Sequence, residues 1–123
     1  MNTSGAVLIY ATAPDAATAE AIARRLVEDG LAACANILPG MRSVYRWEGQ
    51  VEAADEVVLI LKTVHDRAEA AMRRLGELHP YRTPCALVLP ISGGLPAYLA
   101  WLAEGVTAPP AGPGAPSPAG SRA

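Results

Sequence analysis

The alternation of apolar and polar positions divides the chain into strands and helices. Ala6 to Thr12 is apolar without alternation, the pattern of a strand buried on both faces. Ala13-Pro14-Asp15 ends it, with Asp15 placed as an N-cap, and Ala19, Ile22, Ala23, Leu26 and Val27 follow at helical spacing until Gly30 stops the helix. Leu31 to Glu48 reads as one long strand interrupted at Pro39-Gly40, where proline withholds a ladder donor and glycine tolerates a bulge. Its second arm alternates strictly: Met41, Ser43, Tyr45 and Trp47 share one face, and Arg42, Val44, Arg46 and Glu48 the other. Glu48-Gly49-Gln50 closes a hairpin, and Glu56 to Val64 is a second doubly buried strand.

Asp66, with Glu69 three residues on, has capping-box spacing, and Ala68, Met72, Leu75 and Leu78 line one face of the helix it predicts, which must end before Pro80. His79-Pro80-Tyr81-Arg82-Thr83-Pro84 is a proline-punctuated connection to a short strand, Cys85 to Leu89, marked as an edge by Pro90. Pro96 opens a brief third helix carrying Tyr98, Trp101 and Leu102 on one stripe. The order is that of an α/β (α+β) chain with a ferredoxin-like βαββαβ plan, an antiparallel sheet and a short C-terminal helix. A single domain over 1–105 is expected, followed by an Ala/Pro/Gly-rich disordered tail over 106–123. In this plan Cys34 and Cys85 lie on opposite edge strands, roughly 14 Å apart and beyond disulfide reach.

Composition narrows the function. With 51% apolar residues the 123-residue chain can build one real core, and a net charge of −2 without a basic stripe argues against nucleic acid. Neither a leader nor an apolar run of membrane-spanning length is evident, so a cytoplasmic protein without a membrane partner is expected. The two cysteines form no Cys-x-x-Cys pair, which leaves them as small buried hydrophobes or as soft-metal ligands. His65 reads as an exposed loop residue, His79 as a helix-end histidine, and the carboxylates Glu48, Glu52, Asp55 and Glu56 as a solvated rim. No sequence-local catalytic signature links them. Ala13-Pro14-Asp15 lacks the phosphate-cradling nest of an acylphosphatase, and the central strands carry one tyrosine, Tyr10, too few for an RNA-stacking sheet.

The residues do carry a family resemblance. Thr12-Ala13-Pro14-Asp15, Leu31-Ala32-Ala33-Cys34-Ala35-Asn36-Ile37, Ser43-Val44-Tyr45-Arg46-Trp47-Glu48-Gly49, Lys62-Thr63, His79-Pro80-Tyr81 and Pro96-Ala97-Tyr98-Leu99, with Trp101, make the stretch from about Val7 to Leu102 resemble the CutA family of divalent-cation tolerance proteins. The resemblance implies a homotrimer, similar in plan to PII proteins and assembled through the long hairpin, with Tyr45 and Trp47 at the trimer interface. It implies a non-enzymatic role in tolerance to divalent metal ions, with no required cofactor and copper as the ion usually proposed. Cys34, His79 and Cys85 are the candidate metal ligands, and Lys62, Tyr81 and Arg82 the candidates for an inter-subunit cleft. The family usually follows His-Pro-Tyr with Glu-x-Pro-Glu, where this chain has Arg82-Thr83-Pro84-Cys85. That exchange raises an alternative: a PII-like trimeric sensor of a small anionic metabolite, with Lys62 and Arg82 forming a basic pocket.

Overall fold

The architecture follows from two doubly buried strands, each flanked by an amphipathic element. In a computed structural model, which describes residues 4–107, β1 (Ala6–Ala13) and β3 (Gln50–Val64) are the centre of a four-stranded antiparallel sheet. The edges are β2 (Cys34–Trp47) and β4 (Ala86–Pro90), giving the order β2-β3-β1-β4. With α1 (Ala16–Glu28), α2 (His65–Leu78) and a final α3 (Pro96–Thr107), this is the ferredoxin-like plan. The prolines stand on the edge strands, and the continuous apolar runs take the centre, where ladder bonds and both faces must be satisfied.

Antiparallel partners share a face, so the register sorts the side chains. Ile9, Leu61, Ala35 and Val88 align on one side, as do Ala11, Leu59 and Ile37. That side packs against α1 and α2, where Ile9, Leu26, Leu59, Leu61 and Leu75 are fully buried. Asp15 caps α1 by accepting from the Thr18 amide at 2.7 Å, a bond that holds its carboxyl below the usual carboxylate range. Gly30, at φ +72°, ends the helix, with its amide on the Val27 carbonyl and that of Leu31 on the Leu26 carbonyl. This double closure uses Leu31 and Ala32, so β2 begins at Cys34 rather than Leu31.

The expected capping box at Asp66 does not form. The chain passes from β3 directly into α2, Val64 takes the N-cap position without a side-chain bond, and Asp66 lies inside the first turn. There its charge still favours the helix dipole. The C-terminal boundary also moves, because α3 runs to Thr107 and Val106 is fully buried, placing the expected break after 105 inside the helix. The rest of the expected tail, 108–123, lies outside the described residues.

Pro39-Gly40 is a β-bulge. Leu38 pairs with Val58 and Met41 with Glu56, leaving two residues of β2 against Val57 alone, with Gly40 at φ +82°. Parity therefore switches: even residues of the first arm and odd residues of the second lie on one continuous face, opposite α1 and α2. Cys34, Asn36, Leu38, Met41, Ser43, Tyr45 and Trp47 all follow it. The hairpin tip is a two-residue turn with both central residues left-handed, Glu48 at φ 50° and Gly49 at φ 80°.

Two substitutions test this backbone reading. No atom lies within 4 Å of a Cβ placed on Gly40, so Gly40→Ala should cost about 1–2 kcal/mol through left-handed strain alone. Glu48→Asn, which suits the left-handed position better, should raise the unfolding midpoint. Chemical denaturation measures both, and an unchanged midpoint in Gly40→Ala would contradict the bulge geometry.

Candidate functional site

The sheet face opposite α1 and α2 is covered at one end only. There α3 crosses it, with Leu102 and Val106 fully buried and Gly105 admitting a close approach to Ala33. Tyr98 of α3 meets two residues paired across β2 and β3: its hydroxyl stands 3.4 Å from Cys34 Sγ and accepts from Lys62 Nζ at 3.3 Å. The ammonium also lies 5.4 Å from the centre of the Tyr98 ring. Cys34 and Lys62, expected in separate roles, are thus neighbours, joined by a tyrosine that the sequence reading treated only as part of an apolar stripe.

Beyond α3 the face opens into a recess of about 640 Å³ at the base of the hairpin. Tyr10, Met41, Tyr45 and Trp47 form its apolar wall, and the Tyr10 hydroxyl donates to Met41 Sδ at 3.5 Å. Glu52 and Glu56, opposite Tyr45 and Met41 in the ladder, face the same space, and Tyr81, Arg82 and Cys85 close it from the connection before β4. Tyr45 and Trp47 remain 41% and 50% exposed. Leu38, Leu87 and Leu89 extend this uncovered apolar surface across the same face. On the reverse of the hairpin, Arg42 pairs with Asp55 at 2.9 Å in a solvated contact worth a few tenths of a kcal/mol.

His79 departs most from expectation. The residue is 93% buried: Nε2 donates to the Thr12 carbonyl at 2.7 Å, while Nδ1 accepts from the Tyr81 amide at 3.1 Å. Those roles define a neutral imidazole with both nitrogens occupied, so within the subunit His79 offers no lone pair to a metal and no charge to the helix end. It instead fixes the turn that aims Tyr81 across the recess. The Tyr81 hydroxyl donates to Glu56 at 3.0 Å, and burial, together with that carboxylate, pushes the phenol up to about 12.

The remaining predicted ligands also lie apart. Cys34 and Cys85 are both free thiols at opposite sheet edges. Cys34 lines up with Lys62 and Leu8, whereas Cys85 follows the Pro84 turn just before Ala86, which pairs with Ala11, so the two are farther apart than the width of the sheet. Among the described residues no group of three His, Cys, Asp or Glu side chains could hold a metal ion. The expected basic pocket is one between subunits. Lys62 is six positions along β3 from Glu56, about 20 Å away, so one subunit does not bring it to Arg82. Arg82 instead shares the recess with the carboxylates of Glu52 and Glu56, expected on a solvated rim; pairing across the bulged ladder is the signal that places them.

The Tyr81–Glu56 contact predicts a distinct alkaline titration. A phenol raised from the unfolded value near 10 contributes fully to stability below about pH 10, and that contribution is lost as the pH climbs through about 12. Tyrosinate absorbance should therefore resolve one late-titrating phenol, absent in Tyr81→Phe and shifted part of the way down in Glu56→Gln. A Tyr81 phenol titrating near pH 10 would contradict the contact.

Known proteins share this fold. A family model described as CutA1 divalent ion tolerance protein matches residues 7–105. The divalent-cation tolerance protein CutA of Pectobacterium atrosepticum is 48% identical over 97 residues, covering 79% of this chain and 88% of that protein. The crystal structure of CutA from Xylella fastidiosa superposes with a TM-score of 0.81 at 45% identity, over 83% of this chain and 98% of the other. A divalent cation tolerance protein from Thermus thermophilus gives 0.80 at 40%, over 82% and 98%. These matches span the sheet, the bulged hairpin and α3 together, and the chain belongs to the CutA1 divalent ion tolerance protein family.

Proposed function

We propose that the protein serves divalent-cation tolerance in the cytoplasm as a non-enzymatic homotrimer that binds copper or a related divalent cation. The observation that carries this reading is the uncovered sheet face, where exposed Leu38, Tyr45, Trp47, Leu87 and Leu89 lie beside Cys34, Glu52 and Glu56. Apolar surface on this scale is covered by association, and the sheet also ends in two unpaired edges, β2 and β4. A head-to-tail ring, with the β2 edge of one subunit toward the β4 edge of the next, covers both and places Tyr45 and Trp47 at the boundary. Such an arrangement also addresses the donors. One subunit does not assemble a copper site, because His79 is engaged and the thiols are at opposite edges. A site built from thiol donors suits a soft ion and must be completed between subunits, with Cys34 as its best-placed member.

Light scattering tests the assembly and calorimetry the ion. The mass should be three times 12.7 kDa, and copper should bind in a simple ratio to the trimer, with Cys34→Ser weakening it at least about tenfold, the loss of one coordinating donor. A monomer mass would remove the trimer, and copper affinity unchanged in Cys34→Ser would remove the metal assignment.

A further inference from the structure

The recess at the hairpin base has a chemical character that metal tolerance does not use. Three of the chain's four tyrosines and one of its two tryptophans line it: Tyr10, Tyr45, Tyr81 and Trp47. Its charged residues are Glu52, Glu56 and Arg82, two carboxylates against one guanidinium. The Glu52 side chain has no hydrogen bond or ion pair among the described residues, and the Glu56 carboxylate is held by the Tyr81 hydroxyl. The volume, about 640 Å³, is that of a small-molecule pocket rather than of an ion site.

From this combination we infer that the recess binds a small organic cation, an ammonium or similar group carried on an apolar or aromatic body. The ring faces present negative quadrupole to a weakly hydrated cation, and Glu52 and Glu56 supply the counter-charge at the wall. Within one subunit a hydrated metal ion is the poorer occupant, because it requires converging oxygen or sulfur donors and no group of three His, Cys, Asp or Glu side chains converges among the described residues. An anion is poorer still, since two carboxylates, Glu52 and Glu56, face it against the single guanidinium of Arg82. Glu56 is positioned from outside the pocket as well, through the succession Thr12 carbonyl, His79 ring, Tyr81 amide and Tyr81 hydroxyl. The recess lies within one subunit. In the trimeric reading it adjoins the Tyr45–Trp47 boundary, and the inference adds a ligand class to that surface.

The test is a calorimetric and tryptophan-fluorescence titration of the full chain with benzyltrimethylammonium, compared with benzyl alcohol and phenylacetate as neutral and anionic counterparts. The cation should bind about tenfold more tightly than the alcohol, and phenylacetate more weakly than either. Glu52→Gln should weaken the cation by about three- to tenfold, and Arg82→Gln should tighten it. The emission change should vanish in Trp47→Phe and persist in Trp101→Phe, because Trp101 stands beside Tyr98 on α3. Equal binding of cation and alcohol, preferred binding of phenylacetate, or weaker cation binding in Arg82→Gln would overturn the inference. Light scattering on the same samples separates the readings: a trimer that ignores the cation overturns this inference alone, and a monomer that binds it overturns the trimer alone.

Discussion

A two-against-one bulge at Pro39-Gly40 determines which side chains of the long hairpin meet the rest of the sheet. Side chains alternate along a strand, so an uninterrupted β2 carrying Cys34 and Leu38 on the open face would carry Arg42, Val44 and Arg46 there as well. The extra residue opposite Val57 reverses the parity and brings Met41, Tyr45 and Trp47 to that face instead. Proline contributes no ladder donor, and glycine accepts φ +82°, so the local sequence supports the irregularity at little cost. Everything described at the recess depends on this switch: the Tyr10–Met41 contact, the pairing of Tyr45 with Glu52, and the exposure of an aromatic ribbon.

The two sides of the sheet therefore do different work. One is sealed by α1 and α2 over fully buried Ile9, Leu59 and Leu61, which supply the core. The other is capped only at one end, where α3 holds Tyr98 against Cys34 and Lys62. Exposed aromatic and aliphatic side chains are concentrated on the side that the helices leave open. His79 links the two sides: its buried neutral ring ties the turn after α2 to β1 and sets Tyr81 over Glu56. A residue whose type suggested a ligand proves to be a structural brace that shapes the recess.

Much of this was legible in the order of residues wherever the determinant was local. Asp15 as a cap, Gly30 as a stop, the alternation from Met41 to Trp47 and the interruption at Pro39-Gly40 each depend on a few neighbouring positions. Asp66 misled because the capping signal assumes a loop before the helix, and here β3 enters α2 without one. His79 could not be read, since its partner Thr12 is 67 positions away and only the fold shows that the ring is enclosed. Lys62 and Arg82 share a charge, and the ladder register sets them apart within one subunit, so any pocket they form joins two subunits. Glu52 and Glu56 went unrecognised for the complementary reason: their place in the recess follows only after the bulge is included in the pairing.

The most direct test of the account is whether the bulge fixes the face. In the NMR spectrum of the native chain the Tyr10 ring should show a nuclear Overhauser contact with the Met41 methyl, as expected of a hydroxyl and sulfur 3.5 Å apart. Deleting Gly40 removes the extra residue and should abolish that contact while leaving those of Ile9 with Leu61 intact. Survival of the Tyr10–Met41 contact in the deletion variant would show that the hairpin face is set by something other than the bulge.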